Sequence, residues 1–389
     1  MRPVKIIAVI ISFCISFLLN AQEEKNQVKR VEWRGYIKDL QTASFVNSAD
    51  SLTSLHLLHN RINFKFGLSE KFSGRVEIRN RVFYGDQLEL VNDITHTIAR
   101  YDGLFDLSKL WVNEKTLVVH SLIDRILLQY STDKWDIKAG RQRINWGIHT
   151  IWNPNDIFNA YNFLDFDYEE RPGTDAIRIQ HYGKNNTSVE LAYKPGKRNA
   201  ETIAAVLYKF NKKNYDIQLL GGVYQQDILI GTGWAGSLEK AGFKGELSYF
   251  HPRKNWTDSS GSFCFSLMAD QTFKKDWYIS IAALFTSNPV AAGFSNGTIL
   301  TSDLSAKQLF PYRYAFYTGL LKVFSPACSM NISLIYSPEK NSLILFPSWT
   351  WNLAKDFDLD FTAQSFFAKE SRRYKTGGTT LFLRGKWSF

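Results

Sequence analysis

Arginines, carboxylates and aromatics crowd one stretch of the chain. From Ala139 to Ile177 it reads AGRQRINWGIHTIWNPNDIFNAYNFLDFDYEERPGTDAI. Arg141, Arg143, Asp156, Asp165, Asp167, Glu169, Glu170, Arg171 and Asp175 are interleaved with Asn145, Trp146, Trp152, Phe158, Tyr161, Phe163 and Phe166. Such a set can do two kinds of work. A histidine beside a carboxylate can move protons, and His149 ahead of Asp156 offers that pairing. Opposed cations and anions around a passage set a transverse field that sorts ions and small polar solutes.

Other chemistry is sparse. The chain has 7 histidines. His56 and His59 differ in parity and would face opposite sides of a strand, so they make a poor metal pair. No G-x-S-x-G, H-E-x-x-H, phosphate-binding glycine loop or EF-hand pattern occurs. The reading is not an enzyme, with no catalytic residue, cofactor or metal site expected. A barrel enzyme using His149 and Asp156 is the third-ranked alternative.

The segments around this stretch must be strands. RINFKFGL (Arg61 to Leu68), SMNISLIY (Ser329 to Tyr336) and DLDFTAQSFF (Asp358 to Phe367) alternate apolar and polar side chains. A period of two gives a strand one apolar and one polar face. No helical period runs over a comparable length. Short polar turns at 69–71, 131–134, 183–186, 211–214, 239–242, 273–276, 325–328 and 354–356 alternate with longer connections. Those fall at 85–116, 144–173, 251–259, 288–309 and 369–377. On this reading Asp136 to Arg143 is the fifth strand and Asp175 to Tyr182 the sixth.

Composition supports a barrel in a membrane. Hydrophobic residues make up 44% and aromatics 15%, and the mean hydropathy is −0.23, too polar for a bundle of spanning helices. The aromatics suit girdles at the two membrane interfaces, with Trp33, Trp349, Trp351 and Trp387 as candidates. The formal charge is +10 and stays strongly positive without Arg2 and Lys5. Export argues against nucleic acid as the partner. Acidic lipopolysaccharide or an anionic solute fits better. Cys264 and Cys328 lie on separate expected strands and imply no disulfide framework.

The ends agree. MRPVKIIAVIISFCISFLLNAQ has a basic start, a short apolar core and a small residue at Ala21, the pattern of a secretory signal peptide over 1–21. Residues 22–31 read as a disordered leader, and 32–389 as the barrel. The last residues, TTLFLRGKWSF, alternate and close on Phe389. This ending resembles the terminal strand of Gram-negative outer-membrane barrels. The resemblance implies that Phe389 and Trp387 are read by the barrel assembly machinery.

GRQRINWG, NPNDIFN and DFDYEERPGTDAI, over about Gly140 to Asp175, are similar to words in porin-type barrels, including alginate-export-like families of Bacteroidetes. The resemblance implies a segment in or near the pore. The expected fold class is all-β: a transmembrane antiparallel β-barrel of about 18 strands, with about 16 as the fallback, short periplasmic turns and long extracellular loops. The expected function is porin-like passive diffusion of small hydrophilic or anionic solutes or oligosaccharides. A non-conducting barrel for polysaccharide binding or export is the alternative. Arg75, Arg79, Arg81 and Arg178 form a candidate basic ladder in the lumen. Outer-membrane lipid, lipopolysaccharide and the assembly machinery are the expected partners, with a homotrimer as one candidate assembly.

Overall fold

Alternation builds the wall. In the computed structural model nearly every stretch of period-two sequence is a strand. The structure describes residues 31–46, 52–90, 98, 103–160, 163–164, 173–254, 256–289, 304–370 and 373–389. The expected signal peptide and most of the leader lie outside these residues. The first strands are β1 (Val31–Phe45), β2 (Thr53–Gly67), β3 (Phe72–Tyr84), β4 (Ser108–Glu114), β5 (Leu117–Ser131), β6 (Trp135–Gln142) and β7 (Thr174–Tyr182). Next come β8 (Ser188–Lys194), β9 (Ile203–Lys212), β10 (Tyr215–Tyr224), β11 (Asp227–Leu238), β12 (Ala241–Pro252) and β13 (Ser262–Phe273). The last are β14 (Trp277–Thr286), β15 (Tyr314–Ser325), β16 (Cys328–Ser337), β17 (Ser342–Ala354), β18 (Phe357–Glu370) and β19 (Arg373–Ser388).

Each strand pairs antiparallel with its neighbours, and β1 pairs with β19, so the sheet closes. Closure leaves no free edge around the ring, which a wall in lipid requires. One position in the wall is shared. β5 carries β3 along one side. Its other side pairs with β4 at Leu117–Leu122 and with β6 at Ile126–Ser131. The 19 strands therefore fill the 18 positions of an 18-strand barrel.

The expected turns are in place. Asn185–Asn186, Lys213–Asn214 and Lys275–Asp276 hold positive φ in consecutive pairs, the backbone that tight hairpins need to match strand twist. Two expected connections are overturned. The 85–116 stretch, read as a connection, holds β4 (Ser108–Glu114), which pairs with β5. Residues 369–377 read as a loop, but β18 runs to Glu370 and β19 begins at Arg373. The polar character of KESRRYKTGG marks a hairpin that stands as paired strand beyond the apolar part. Strand lengths also differ around the ring. β1 and β2 have 15 residues and β19 has 16, whereas β7 has 9 and β8 has 7.

The faces sort by polarity. Ile177, Val189, Leu191, Tyr193, Val206, Leu219, Ile230 and Leu383 are exposed on the outside. Arg61, Glu77, Asp124, Glu190, Glu246 and Asp360 are buried on the inside. Aromatics gather where the short turns lie. Trp349 stacks on Trp351 at 5.1 Å and on Phe324 at 5.8 Å. Trp33 and Trp387 pack on Phe389 at 5.5 and 5.3 Å. Phe389 is tied into the wall by reciprocal backbone hydrogen bonds with Gly35. No helix among the described residues is long and apolar enough to cross a membrane.

Candidate functional site

The segment after β6 turns into the barrel. Ile144, Trp146, His149, Ile151, Trp152, Asn155, Asp156, Ile157 and Phe158 are all buried. The wall behind it is built small. Ala192, Ala205, Ser248 and Ser266 face inward. A Cβ on Gly233 would sit 2.9 Å from Ile148 Cδ1, and one on Gly231 would sit 3.0 Å from Asn155 Oδ1. Removing side chains from the wall makes the room that the loop fills.

Polar wall residues then bind the loop backbone. The Glu246 carboxylate on β12 accepts the N–H groups of Ile148, of His149 at 3.0 Å and of Asn155 at 2.9 Å. Gln218 donates to the Trp146 carbonyl at 2.9 Å, Ser248 to Pro154 at 3.0 Å and Ser266 to Trp152 at 3.1 Å. Gln364 on β18 donates to the Leu164 carbonyl at 2.8 Å. The loop thus leaves the wall at β6, follows β12 and β13, and reaches β18. Buried peptide groups need such partners, because each one left unmet costs free energy. The Trp146 indole donates to Glu190 at 2.6 Å, and Arg178 bonds the same carboxylate at 2.6 and 2.7 Å.

The expected Asn153-Pro154-Asn155-Asp156 turn is present as a tight turn, with Asp156 N–H on the Asn153 carbonyl at 3.1 Å. It opens no helix, because the wall takes up the Asn155 N–H directly. Asp156 accepts the Trp146 N–H at 3.4 Å and closes the turn. No hydrogen bond joins His149 to Asp156 among the described residues, so the proton-moving pair does not form. Burial instead pushes His149 down to about 4, since an imidazolium there would give up its water.

A second segment roofs the first. Ala306, Leu309, Phe310 and Tyr312, between β14 and β15, are buried inside the barrel. Phe310 meets Trp152 edge-on at 6.2 Å, and Ala306 joins the apolar cluster that holds Trp146 and Phe158. Nothing in the sequence marks this segment beyond its apolar side chains.

The opposite wall has a different surface. Arg61 is fully buried and bonds Glu77 at 2.5 Å and Asp124 at 2.6 Å. Arg125 reaches Glu77 at 3.0 Å, Arg79 reaches Asp124 at 3.8 Å and Arg384 bonds Asp360 at 2.7 Å. A register shift between β3 and β5 at Glu77/Ile78 turns both Asp124 and Arg125 inward, as a bulge does. Around this core the basic track is more open. The side chain of Arg75 is 41% exposed and that of Lys138 is 23% exposed. Arg81 donates to the Ile98 carbonyl at 2.8 Å.

Of the residues singled out in the opening stretch, Arg141 and Asp175 meet. The Arg141 guanidinium bonds Asp175 at 2.8 Å, the Ile123 carbonyl at 3.0 Å and the Phe105 carbonyl. Asp175 in turn accepts the Phe105 N–H at 3.0 Å. These groups cover the seam where β6 ends and β4 takes over beside β5. Arg141 therefore completes the wall with side-chain hydrogen bonds where the backbone ladder is interrupted. Gly140, at φ +118°, makes the bend that brings it there. Arg143 and Asn145 are exposed and alternate with buried Ile144 and Trp146, so they project from the side of the loop facing away from the wall. Asp165, Asp167, Glu169, Glu170 and Arg171 lie outside the described residues.

Solved structures of outer-membrane proteins share this architecture. OccK8 (OprE) of Pseudomonas aeruginosa aligns with TM-score 0.59 and 7% identity, covering 94% of this chain and 99% of that one. OprD of the same organism aligns with TM-score 0.59 and 8% identity, over 94% and 97%. OccAB2 of Acinetobacter baumannii gives 0.59 and 8%, over 94% and 99%. At such identities the likeness shows the fold alone. Neither a protein-family model nor a curated protein matches the chain.

Proposed function

We propose that the protein is a porin-like channel of the outer membrane, passing small hydrophilic solutes by diffusion and favouring anions. One observation carries the reading: a closed 18-strand wall, apolar outside and charged inside, whose bore is narrowed by a loop hydrogen-bonded to its inner face. About this many strands leave an aqueous lumen, and a loop drawn inside sets its narrowest section. Arg75 and Lys138 each lie beside a carboxylate but keep 41% and 23% of their side chains exposed, and Arg143 is exposed on the loop. These three bring positive charge to the passage, while the cations of Arg61, Arg178 and Arg384 are more deeply buried against their carboxylates. The fold shared with OprD and the Occ proteins supports a channel rather than a catalyst.

The finer readings belong here as well. The words between Gly140 and Asp175 support kinship with alginate-export-like barrels of Bacteroidetes, and with it oligosaccharides as a second solute class. Trp387 and Phe389, displayed at the end of β19, are the residues that the assembly machinery would read. The exposed apolar exterior suits lipid, lipopolysaccharide and contact between barrels, including a homotrimer.

The test is single-channel recording of the refolded barrel in a planar bilayer, with the reversal potential measured in a salt gradient. Steady openings with anion preference support the reading. Folded barrels, shown by heat-modifiable gel mobility, that pass no current would overturn it and leave polysaccharide binding as the reading to pursue.

A further inference from the structure

The roofing segment 304–313 is held by more than apolar contact. Ser305 and Gln308 exchange backbone hydrogen bonds at 3.1 and 2.9 Å, making a tight turn with Ala306 and Lys307 at its tip. The Lys307 ammonium forms an ion pair with Asp227, the first residue of β11. It also lies over two aromatic faces, at 5.9 Å from the Tyr224 centroid and 5.7 Å from that of Phe250. Those two rings meet each other at 5.1 Å. One carboxylate and two π-faces therefore form a cradle at the outer ends of β10, β11 and β12, and the tip of a neighbouring loop fills it. Ala306 beside it is wholly buried.

We infer that Lys307 and Asp227 form a latch, holding the 304–313 strap closed over the inward loop so that its release widens the outer mouth of the bore. The inference rests on the channel reading for its consequence, but the latch itself does not. Apolar docking by Ala306, Leu309 and Phe310 has no strong directional term. The ammonium supplies one, because it is attracted to the carboxylate and to the ring faces only at this register. Its side chain is 34% exposed while that of Asp227 is 6% exposed. The lysine can thus leave for water, whereas the cradle stays where it is. That asymmetry makes the strap the moving part. Trp146, Phe158 and Trp152 lie beneath it, so lifting the strap uncovers the loop that narrows the passage.

The test reads strap position directly. Ala306→Cys is placed in a Cys328→Ser background, and its rate of labelling by a membrane-impermeant maleimide is followed in folded, detergent-held barrels. Ala306 is fully covered when the strap is docked. Adding Lys307→Met keeps the aliphatic stem and removes the charge. Labelling is expected to accelerate about tenfold, equivalent to about 1.4 kcal/mol of docking. Lys307→Arg, which keeps a cation over the rings, should label within about twofold of the parent, well short of that tenfold step. Equal rates for the parent and Lys307→Met, whether slow or fast, would overturn the latch. Labelling needs no ion flow, so this result stands apart from the bilayer recording. With both in hand, Lys307→Met should also shorten closed dwell times in single-channel records.

Discussion

The two sides of the bore meet the same requirement by different means. Both present the polar parity of an alternating sheet to the interior. On β2, β3, β5, β18 and β19 the inward side chains satisfy one another through Arg61, Glu77, Asp124, Arg125, Asp360 and Arg384. On β10, β12 and β13 a backbone from elsewhere satisfies the inward Gln218, Glu246, Ser248 and Ser266. The first side is self-contained and stiff. The second is complete only when a loop is docked on it. On the channel reading, the fixed charged wall would set selectivity and the docked one would set width.

Substitutions can break this contrast, and the largest effect should come from the docked side. Glu246→Leu keeps bulk but removes the acceptor of three loop N–H groups, those of Ile148, His149 and Asn155. Each buried donor left unmet costs about 1–3 kcal/mol. The loop should undock, giving wider and noisier openings in the bilayer with the folded barrel intact by gel mobility. Unchanged conductance would show that the loop does not set the width.

Arg61→Leu tests the other side. It takes the shortest partner from buried Glu77 and Asp124, which keep Arg125 at 3.0 Å and Arg79 at 3.8 Å. The cost should approach that of a broken buried pair, about 3–5 kcal/mol. The expected readout is a lower urea midpoint with nearly unchanged conductance, the reverse of the Glu246 pattern. If Arg61→Leu opened the channel as Glu246→Leu does, the division into fixed and removable walls would fall.

Gly233→Val overfills the space between wall and loop, where even a Cβ would stand 2.9 Å from Ile148 Cδ1. Overpacking of this kind costs about 1–3 kcal/mol, and protease should then cut within 144–160 faster in the variant. His149 should make the same contact sensitive to acid, more gently. His149 packs against the Lys244 backbone near Asp270, with Lys244 disfavouring its protonation and Asp270 favouring it. Burial sets its folded value at about 4, below the ordinary 6.5. The undocked loop therefore takes up the proton first. The contribution of His149 to docking is unaffected above about 6.5 and weakens as pH falls from there toward about 4. Across that window the parent should gain open time relative to His149→Phe in channel records, and equal pH trends in the two would show that His149 plays no part. Arg75→Gln with Lys138→Gln should have the smallest effect, a shift of reversal potential away from anion preference without loss of stability.

Much of this was legible in the residues. Period two placed the strands, and Asn–Asn, Lys–Asn and Lys–Asp pairs marked the hairpins. Parity told which side Lys244, Glu246 and Ser248 would share. It could not say what they would meet, because Glu246 finds its partners about a hundred residues earlier in the chain. The bulge at Asp124 was invisible for a related reason. A single extra residue swaps the faces locally, and only the β3 partner shows where it sits. Arg141 reads as a pore residue by type and place, yet the interruption between β4 and β6 draws it into the wall. The polar 369–377 stretch reads as loop because strands that rise beyond lipid need no apolar face.

The unequal strand lengths bear on the membrane itself. At about 3.3 Å per residue and the usual tilt, the 7 residues of β8 rise about 18 Å and the 16 of β19 about 40 Å. The apolar band of such barrels is about 25 Å tall. On the β19 side the bilayer meets wall to spare, and on the β8 side it meets too little. Lipid there has to thin, at a cost that grows with each ångström of mismatch. Two barrels set with their low sides together would share one thinned patch instead of making two, so bilayer thickness becomes a force that orients neighbours in the plane.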